Sequence, residues 1–271
     1  MHFVCFNGNL LPAGQPLFTA DNRSFRYGDG IFETIKVKEG RICLAGYHFD
    51  RLLSSLRLLK MQLPDNFSLV LQQQIVDLCR LNNCSQLARV RLAVYRTDAA
   101  ADYVIEAWPL AADKNQWSNK GYAIDIYPDG RKSTDAFANL KTANYLIYVL
   151  ANMYAQENNL DDCIVLNSYN HIADASKANV FLVQKDIVYT PALHQGCVSG
   201  VMRRHIIQVL KEMHYTVLQT EVTEALLYQA GEVFLTNAIY GIRWVSTFRQ
   251  KEYGSAATAA IYQYAFTNRQ Y

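Results

Sequence analysis

The hydrophobic pattern of this chain changes period several times, and those changes limit the folds that it can adopt. Residues 89–94 alternate apolar with mostly polar side chains, which is the two-residue period of a half-buried strand. Leu52, Leu56 and Leu59 instead recur at helical spacing, which predicts a helix over residues 48–61. Strand and helix patterns do not follow the strict order of a doubly wound sheet, so the sequence predicts an α+β fold.

A polar stretch at residues 111–120 interrupts the apolar pattern and divides the chain. We expect a smaller N-terminal domain over residues 1–113, a linker at 114–120 and a larger C-terminal domain over 121–271. In the larger part, a helix is expected to begin just after Lys141 and a second one at Gly200. The expected apolar stripe of the first of these helices is Leu146, Val149, Leu150 and Met153.

Composition excludes several classes of protein. With 51% hydrophobic and 18% charged residues, the chain can bury a sizeable core, and its net charge of +2 gives no reason to expect a nucleic acid or membrane partner. No basic n-region opens the sequence and no apolar run is long enough for a membrane span, so the cytoplasm is the expected location. The six cysteines are expected to be reduced and mostly buried, and the spacing of His194 and Cys197 is too isolated to predict a metal site.

A few residues could carry chemistry. Lys141 lies between an apolar approach and an amphipathic helix, where partial desolvation would make its amine reactive. His48 and Arg51 share one helix face and could point at one anion. Gly200 precedes a helix whose first N–H groups could seat a phosphate, and Asp174 lies near a strand. Taken singly, each of these residues fits an ordinary structural role at least as well.

Their order and spacing are more specific. The combined pattern, from Asn7 to about Val245, resembles the class IV pyridoxal-phosphate family, which holds branched-chain aminotransferases, D-amino-acid aminotransferases and 4-amino-4-deoxychorismate lyases. The matching blocks are Asp21 to Thr34 with its Tyr27-Gly-Asp-Gly30 core, the His48/Arg51 helix, Leu140-Lys141-Thr-Ala-Asn144, Asp174 to Phe181, Gly200-Val-Met-Arg203 and Val233-Phe-Leu-Thr-Asn237-Ala.

The resemblance implies a fold, a cofactor and a set of roles. It implies a two-domain fold-type IV enzyme, usually a homodimer, with pyridoxal 5'-phosphate between the domains and joined to Lys141 as a Schiff base. It assigns cofactor-binding roles to Arg51, His48, Asp174, Val198, Val201, Met202, Asn237, Ala238 and Ile239. Pocket positions next to the substrate would be Tyr27 and Phe32, with Arg96 as a possible partner for a carboxylate.

Asp174 departs from the family pattern. The family usually has Glu at the position that keeps the ring nitrogen of the cofactor protonated, with an Asn five positions later, as Asn179 is here. Aspartate is one methylene shorter, so the backbone would move in, a water would bridge, or the ring would be a weaker electron sink.

Two details favour a lyase that converts 4-amino-4-deoxychorismate to 4-aminobenzoate and pyruvate, a step in folate precursor synthesis. Met202 stands where the aminotransferases more often carry Thr, and the strand end at residues 235–238 resembles that of the lyases. The loop at residues 97–103 lacks the carboxylate clamp of D-amino-acid enzymes, but it also lacks the glycines common in lyases. Transamination of a branched-chain or D-amino acid with 2-oxoglutarate is the alternative, and a non-catalytic binding protein with this fold is a third.

Overall fold

A computed structural model describes residues 1–62, 64, 66–97 and 100–266, apart from the side chains of residues 114 and 115. These residues form two compact units. The first consists of Met1–Asn115 with Lys141–Asn144, and the second of Gln116–Leu140 with Tyr145–Tyr271. The domain division drawn from the sequence stays a prediction; the compact units differ from it in placing Lys141–Asn144 in the first unit.

The first unit is built on an antiparallel sheet. In chain order its elements are β1 (Phe3–Phe6), β2 (Asn9–Pro12), α1 (Arg23–Tyr27), β3 (Gly30–Lys38), β4 (Arg41–Ile42), α2 (Ala45–Leu58), α3 (Phe67–Leu81), β5 (Leu87–Arg96) and β6 (Ala101–Pro109). The six strands lie in the order β2-β1-β6-β5-β3-β4. Strand β5 is thus central and pairs with β3 over nine residues, which confirms the strand predicted from its alternating pattern.

The core of the first unit joins one face of the sheet to the two long helices. Leu52 and Leu56 of α2 and Leu71 and Ile75 of α3 are at most 2% exposed and lie in one cluster with strand residues such as Leu92. The helical spacing of the leucines therefore predicted the buried side of α2 correctly, although the helix begins at Ala45 and ends at Leu58. Each such leucine contributes about 2 kcal/mol through removal of its apolar surface from water.

The second unit is built on a larger, mixed sheet. Its elements are β7 (Tyr122–Ile126), α4 (Leu146–Glu157), β8 (Asp162–Leu166), β9 (Ile172–Ala175), β10 (Asn179–Gln184), β11 (Ile187–Pro191), α5 (Val201–Glu212), β12 (Thr216–Thr220), α6 (Glu224–Gln229), β13 (Glu232–Asn237), β14 (Gly241–Phe248), β15 (Lys251–Glu252) and α7 (Ala256–Phe266). The strand order is β12-β11-β10-β13-β14-β7-β8-β9, and β15 pairs with β14. Parallel pairing occurs between β11 and β12, β14 and β7, and β7 and β8.

Helix α4 turns a different face to the core from the one that its sequence predicts. Tyr148, Ala151 and Ala155 are buried and cluster with Cys163 and Val165 of β8. Small alanines let the helix lie close to the strand, and the tyrosine ring fills the remaining space. The predicted core stripe was therefore wrong: its residues are 40–68% exposed, namely Leu146, Val149, Leu150 and Met153.

The cysteines have the state that the sequence predicted. None of the six forms a disulfide and all are buried, and burial raises the pKa of Cys163 and of Cys197 to about 12. Thiols in this condition stay protonated and unreactive near pH 7. Within the part of the chain that is described, no helix has the length and apolarity to cross a bilayer.

Candidate active site

Lys141 is held beside strand β3 by backbone hydrogen bonds. The Phe32 N–H donates to Lys141 O at 2.9 Å, and the Ala143 N–H donates to Gly30 O at 2.8 Å. Residues 141–144 therefore extend the first unit's sheet at the start of β3. This pairing fixes the backbone of Lys141.

The Lys141 side chain lies against an aromatic ring. Its Nζ is 4.5 Å from the ring centroid of Phe32, and the residue is half-buried. The guanidinium carbon of Arg91 lies 5.0 Å from the centroid of the same ring. An amine, an aromatic wall and a carboxylate-binding group thus meet around one residue, which suits a small substrate that carries both an amine and a carboxylate.

Reasoning from the sequence missed Arg91, although a signal for it was present. Phe32 pairs with Ala93, and Arg91 pairs with Thr34. Side chains of paired residues and of residues two apart lie on one face of a sheet, so Phe32 and Arg91 share a face. The alternation of β5 places that face opposite the buried Leu92. Arg91 also lies 3.5 Å from a carboxylate oxygen of Glu106, with its side chain 37% exposed.

Arg51 and His48 do converge on one anion, and in this structure the anion is the carboxylate of Glu33. Arg51 donates from Nε to Glu33 Oε1 at 2.7 Å and from Nη2 to Oε2 at 2.5 Å, while His48 Nδ1 lies 2.7 Å from Oε2. Burial alone would raise the pKa of Glu33, but the charge of Arg51 and the bond from His48 outweigh it and lower the pKa to about 2. The phosphate role expected for Arg51 stays a prediction.

His48 has a defined tautomer as a result. Burial lowers the pKa of His48 even though Glu33 opposes the shift, so the imidazole is neutral near pH 7 and Nδ1 carries the hydrogen that Glu33 accepts. The other nitrogen, Nε2, is buried and has no hydrogen-bond partner among the described residues. It can accept a hydrogen bond but not donate one, so a phosphate would reach it only through a bridging donor such as water.

In the second unit, Asp174 is a buried carboxylate, and both of its oxygens accept hydrogen bonds. Oδ2 accepts from Tyr148 OH at 2.7 Å, from the Val198 N–H at 3.0 Å and from Lys132 Nζ at 3.1 Å. Oδ1 accepts from Asn179 Nδ2 at 2.8 Å. Lys132 and Tyr148 were not identified from the sequence.

The N-terminus of α5 has backbone N–H groups that could bind an anion. Gly200 is the N-cap and, as a glycine, gives no side-chain cap to the first turn, which begins with Val201 and Met202. A Cβ on Gly200 would lie 1.8 Å from Asn179 Oδ1, so the position accepts only glycine without movement of Asn179. Uncapped N–H groups at the positive end of a helix bind phosphate, which is the role expected for Val201 and Met202.

The turn after β13 is organised by Asn237. Its Oδ1 accepts from the N–H groups of Ile239 and Tyr240 at 3.0 and 3.1 Å, and its Nδ2 donates to Lys177 O. The Ile239 N–H is therefore already used within the turn. Thr236, at the end of the strand, has a buried hydroxyl without a hydrogen-bond partner among the described residues. The expected phosphate contacts of Asn237, Ala238 and Ile239 stay a prediction.

Two expected substrate positions have other contacts. Tyr27 ends α1 and is 62% exposed, with the guanidinium carbon of Arg23 5.4 Å from its ring centroid. Arg96 donates from Nε to Asp29 and from Nη2 to Leu59 O at 2.7 Å, just beyond the end of α2. Its guanidinium therefore serves to hold the first unit together, and Arg91 is the better placed carboxylate partner near Lys141.

Comparison with known proteins identifies the family of this chain. Residues 30–248 match the class IV aminotransferases, and the chain belongs to that family. An aminodeoxychorismate lyase of Vibrio harveyi is 28% identical over 83% of this chain and 85% of its own. A D-alanine aminotransferase of Bacillus licheniformis is 22% identical over 95% of this chain and 92% of its own. A hypothetical aminotransferase from Mycobacterium tuberculosis, solved in a PLP-bound form, has a TM-score of 0.84 and 20% identity over 98% of this chain and all of its own.

Family membership confirms the resemblance, the fold class, the enzyme class and the cofactor that were expected from the sequence. The residues present also fit pyridoxal phosphate. In the first unit, Lys141 has the kind of amine that its aldehyde would need. In the second unit, the helix start at Gly200 suits its phosphate, and the buried carboxylate of Asp174 suits its ring nitrogen.

Proposed function

We propose that this chain is a pyridoxal-phosphate-dependent lyase that converts 4-amino-4-deoxychorismate to 4-aminobenzoate and pyruvate. The observation that carries the proposal is the contact of Lys141 and Arg91 with the same Phe32 ring. The substrate is a six-membered ring, not yet aromatic, that carries an amine and a carboxylate, with a second carboxylate on its enolpyruvyl ether. Phe32 would stack against that ring, Arg91 would bind the carboxylate, and Lys141 would act at the amine-bearing carbon.

The cofactor, Lys141 and Phe32 have separate roles in the proposed reaction. Bound pyridoxal phosphate supplies an electron sink next to the substrate amine. Lys141 Nζ then removes the proton from the amine-bearing ring carbon. The enolpyruvyl ether bond breaks, the ring becomes aromatic, and the departing enolpyruvate takes up a proton to become pyruvate. Phe32 covers the amine and limits its contact with water.

Two further features support the lyase reaction. The first turn of α5 carries Met202, which is buried and has no hydroxyl to offer a phosphate. The end of β13 is Leu235-Thr-Asn-Ala, in which Asn237 organises the turn. These are the two positions at which the sequence resembles the lyases more than the aminotransferases, and the Vibrio harveyi relative carries the lyase name.

The test is direct incubation of the purified holoenzyme with 4-amino-4-deoxychorismate. Equal amounts of 4-aminobenzoate and pyruvate are expected, without any amino acceptor, and the Lys141→Ala variant should form neither. A wild-type holoenzyme that forms no 4-aminobenzoate overturns the lyase proposal.

A class IV aminotransferase is the second candidate. Arg91 would serve equally to bind a carboxylate of glutamate or 2-oxoglutarate, and one relative is a D-alanine aminotransferase. The same holoenzyme is therefore incubated with 2-oxoglutarate and branched-chain or D-amino acids. Glutamate formed in step with loss of the donor would identify this activity, and no turnover with any donor removes it.

We also propose a cytoplasmic homodimer. The exposed apolar face of α4 gives a reason for self-association, because monomers seldom expose neighbouring large apolar side chains of this kind. Analytical ultracentrifugation of the wild type and of a Val149→Lys, Met153→Lys double variant tests it. A wild type that sediments as a monomer contradicts the dimer.

A further inference from the structure

A buried lysine lies beside the carboxylate that is expected to serve the cofactor. The Lys132 side chain is 9% exposed, and its Nζ is 3.1 Å from Asp174 Oδ2. The ammonium group also lies 5.2 Å from the centroid of the Tyr148 ring. Its backbone is fixed, because the Lys132 N–H donates to Leu166 O at 2.9 Å. Lysine is rarely this buried unless it is paired with an opposite charge.

The four donors around Asp174 nearly exhaust its capacity. A carboxylate offers about four acceptor positions, and Oδ2 already takes three hydrogen bonds while Oδ1 takes one from Asn179. A ring nitrogen could add a hydrogen bond at Oδ1 only. It would then meet a carboxylate whose charge is already balanced by an ammonium group in direct contact.

The other titratable groups that face Asp174 do not balance its charge. Burial is the main reason, and the charge of Asp174 the second, why the pKa of Tyr148 lies well above its ordinary value. The same two causes raise the pKa of Cys197 to about 12. Both groups are therefore neutral near pH 7. Arg203, on α5, interacts with Asp174 but makes its own hydrogen bonds to Pro191 O and Gln219. Lys132 is the cation that contacts the carboxylate within the described chain.

We propose that Lys132 is a positioning residue that pairs with the charge of Asp174, so that the carboxylate exerts only part of its electrostatic attraction on the ring nitrogen of pyridoxal phosphate. This inference rests on the role proposed for Asp174. A lone buried carboxylate acts on a nearby proton as a full negative charge, whereas an ion pair acts as a dipole whose field falls off faster with distance. The cofactor ring in this protein is therefore a weaker electron sink than one facing a lone carboxylate.

The direction of the effect follows from the charges. Replacement of Lys132 by a neutral residue leaves the carboxylate charge uncompensated, and that charge favours the protonated ring nitrogen. The protonated fraction should rise in Lys132→Met and should stay near the wild-type level in Lys132→Arg, which keeps the charge. A purely structural role for Lys132 would lower cofactor affinity without changing the state of the ring nitrogen.

The experiment is ¹⁵N NMR of holoenzyme reconstituted with [¹⁵N]pyridoxal phosphate, titrated with pH. In Lys132→Met, the midpoint of the ring-nitrogen titration should move up by one pH unit or more relative to the wild type and to Lys132→Arg. A midpoint that is unchanged or moves down in Lys132→Met overturns the proposal.

A second measurement works without cofactor and separates this proposal from the enzyme function. In apo Lys132→Met, the buried carboxylate loses the ammonium group that contacts it, so burial disfavours its charged form more than in the wild type. The variant should therefore lose stability relative to the wild type as the pH rises through the range in which a carboxyl group ionises. Thermal unfolding should show this extra loss in Lys132→Met, and the additional change Asp174→Asn should abolish it. Parallel pH profiles of the apo wild type and apo Lys132→Met contradict the charge pairing, whatever the enzyme's substrate proves to be.

Discussion

Arg51 donates two hydrogen bonds to the Glu33 carboxylate, from Nε at 2.7 Å and from Nη2 at 2.5 Å. Glu33 is 2% exposed, and His48 contacts the same carboxylate. The pair fixes the plane of the guanidinium, because a bidentate contact leaves little rotational freedom. Any anion that Arg51 binds must therefore approach a group whose orientation Glu33 has already set.

The Glu33 carboxylate should make stability depend on acid pH. Its pKa falls from 4.5 to about 2 on folding, so its stabilisation is complete above pH 4.5 and is lost as the pH falls towards 2. The shift corresponds to about 3 kcal/mol as an order of magnitude. Chemical denaturation of the apoprotein between pH 2 and 6 measures it. Glu33→Gln should lose this part of the dependence, and Glu157→Gln, at an exposed helix end, should keep it; equal profiles for all three proteins contradict the assignment.

Replacement of Lys141 should remove the reactive amine and the proton carrier together. Lys141→Ala should lower turnover by about a thousandfold or more, in the range lost with a general base. Its visible absorption spectrum should also lack the band that borohydride reduction makes permanent in the wild type. Lys120→Ala, at a surface lysine that is 82% exposed, is the control. A Lys141→Ala variant that still retains the cofactor covalently after reduction contradicts the role of Lys141.

Arg91 should contribute to substrate binding more than to the chemical step. Arg91→Gln should raise KM by about tenfold to a hundredfold, the range expected for loss of a charge-assisted hydrogen bond, with a smaller effect on kcat. Arg89→Gln provides a matched control, because Arg89 lies on the same face of β5 but next to Trp108. If both variants have the KM of the wild type, Arg91 does not bind the substrate carboxylate.

Gly200 should not tolerate a side chain. In Gly200→Ala the new Cβ would overlap Asn179 Oδ1, and Asn179 is the donor to Asp174 Oδ1. We expect a loss of about 1–3 kcal/mol in unfolding free energy and weaker cofactor binding in a titration followed by absorbance. Gly46→Ala, inside helix α2 with nothing within 4 Å of the new Cβ, should be neutral or slightly stabilising. Wild-type stability and affinity in Gly200→Ala would show that the loop adjusts freely.

Short-range patterns predicted the buried faces of β5 and α2 correctly, and the one for α4 wrongly, for physical reasons. The alternation in β5 and the leucine spacing in α2 gave the buried face correctly, because each face there meets a continuous core. In α4 the most apolar stripe is exposed, and Tyr148 with two alanines is buried instead. Hydrophobicity by itself could not predict this choice, because Tyr148 is held inward by its hydrogen bond to Asp174.

The sequence by itself determined the family and the α+β class and predicted Lys141 as the reactive lysine, because these depend on residue types at fixed spacings within short blocks. Only the tertiary structure decided which groups surround those residues. Lys132 meets Asp174 across 42 positions of the chain, and Arg91 reaches Phe32 because β3 and β5 pair in one register. Such neighbours depend on strand order and pairing, which bring together residues that no local pattern connects. They set the charge and hydrogen bonding around Asp174 and Phe32, and with them the chemistry proposed for this protein.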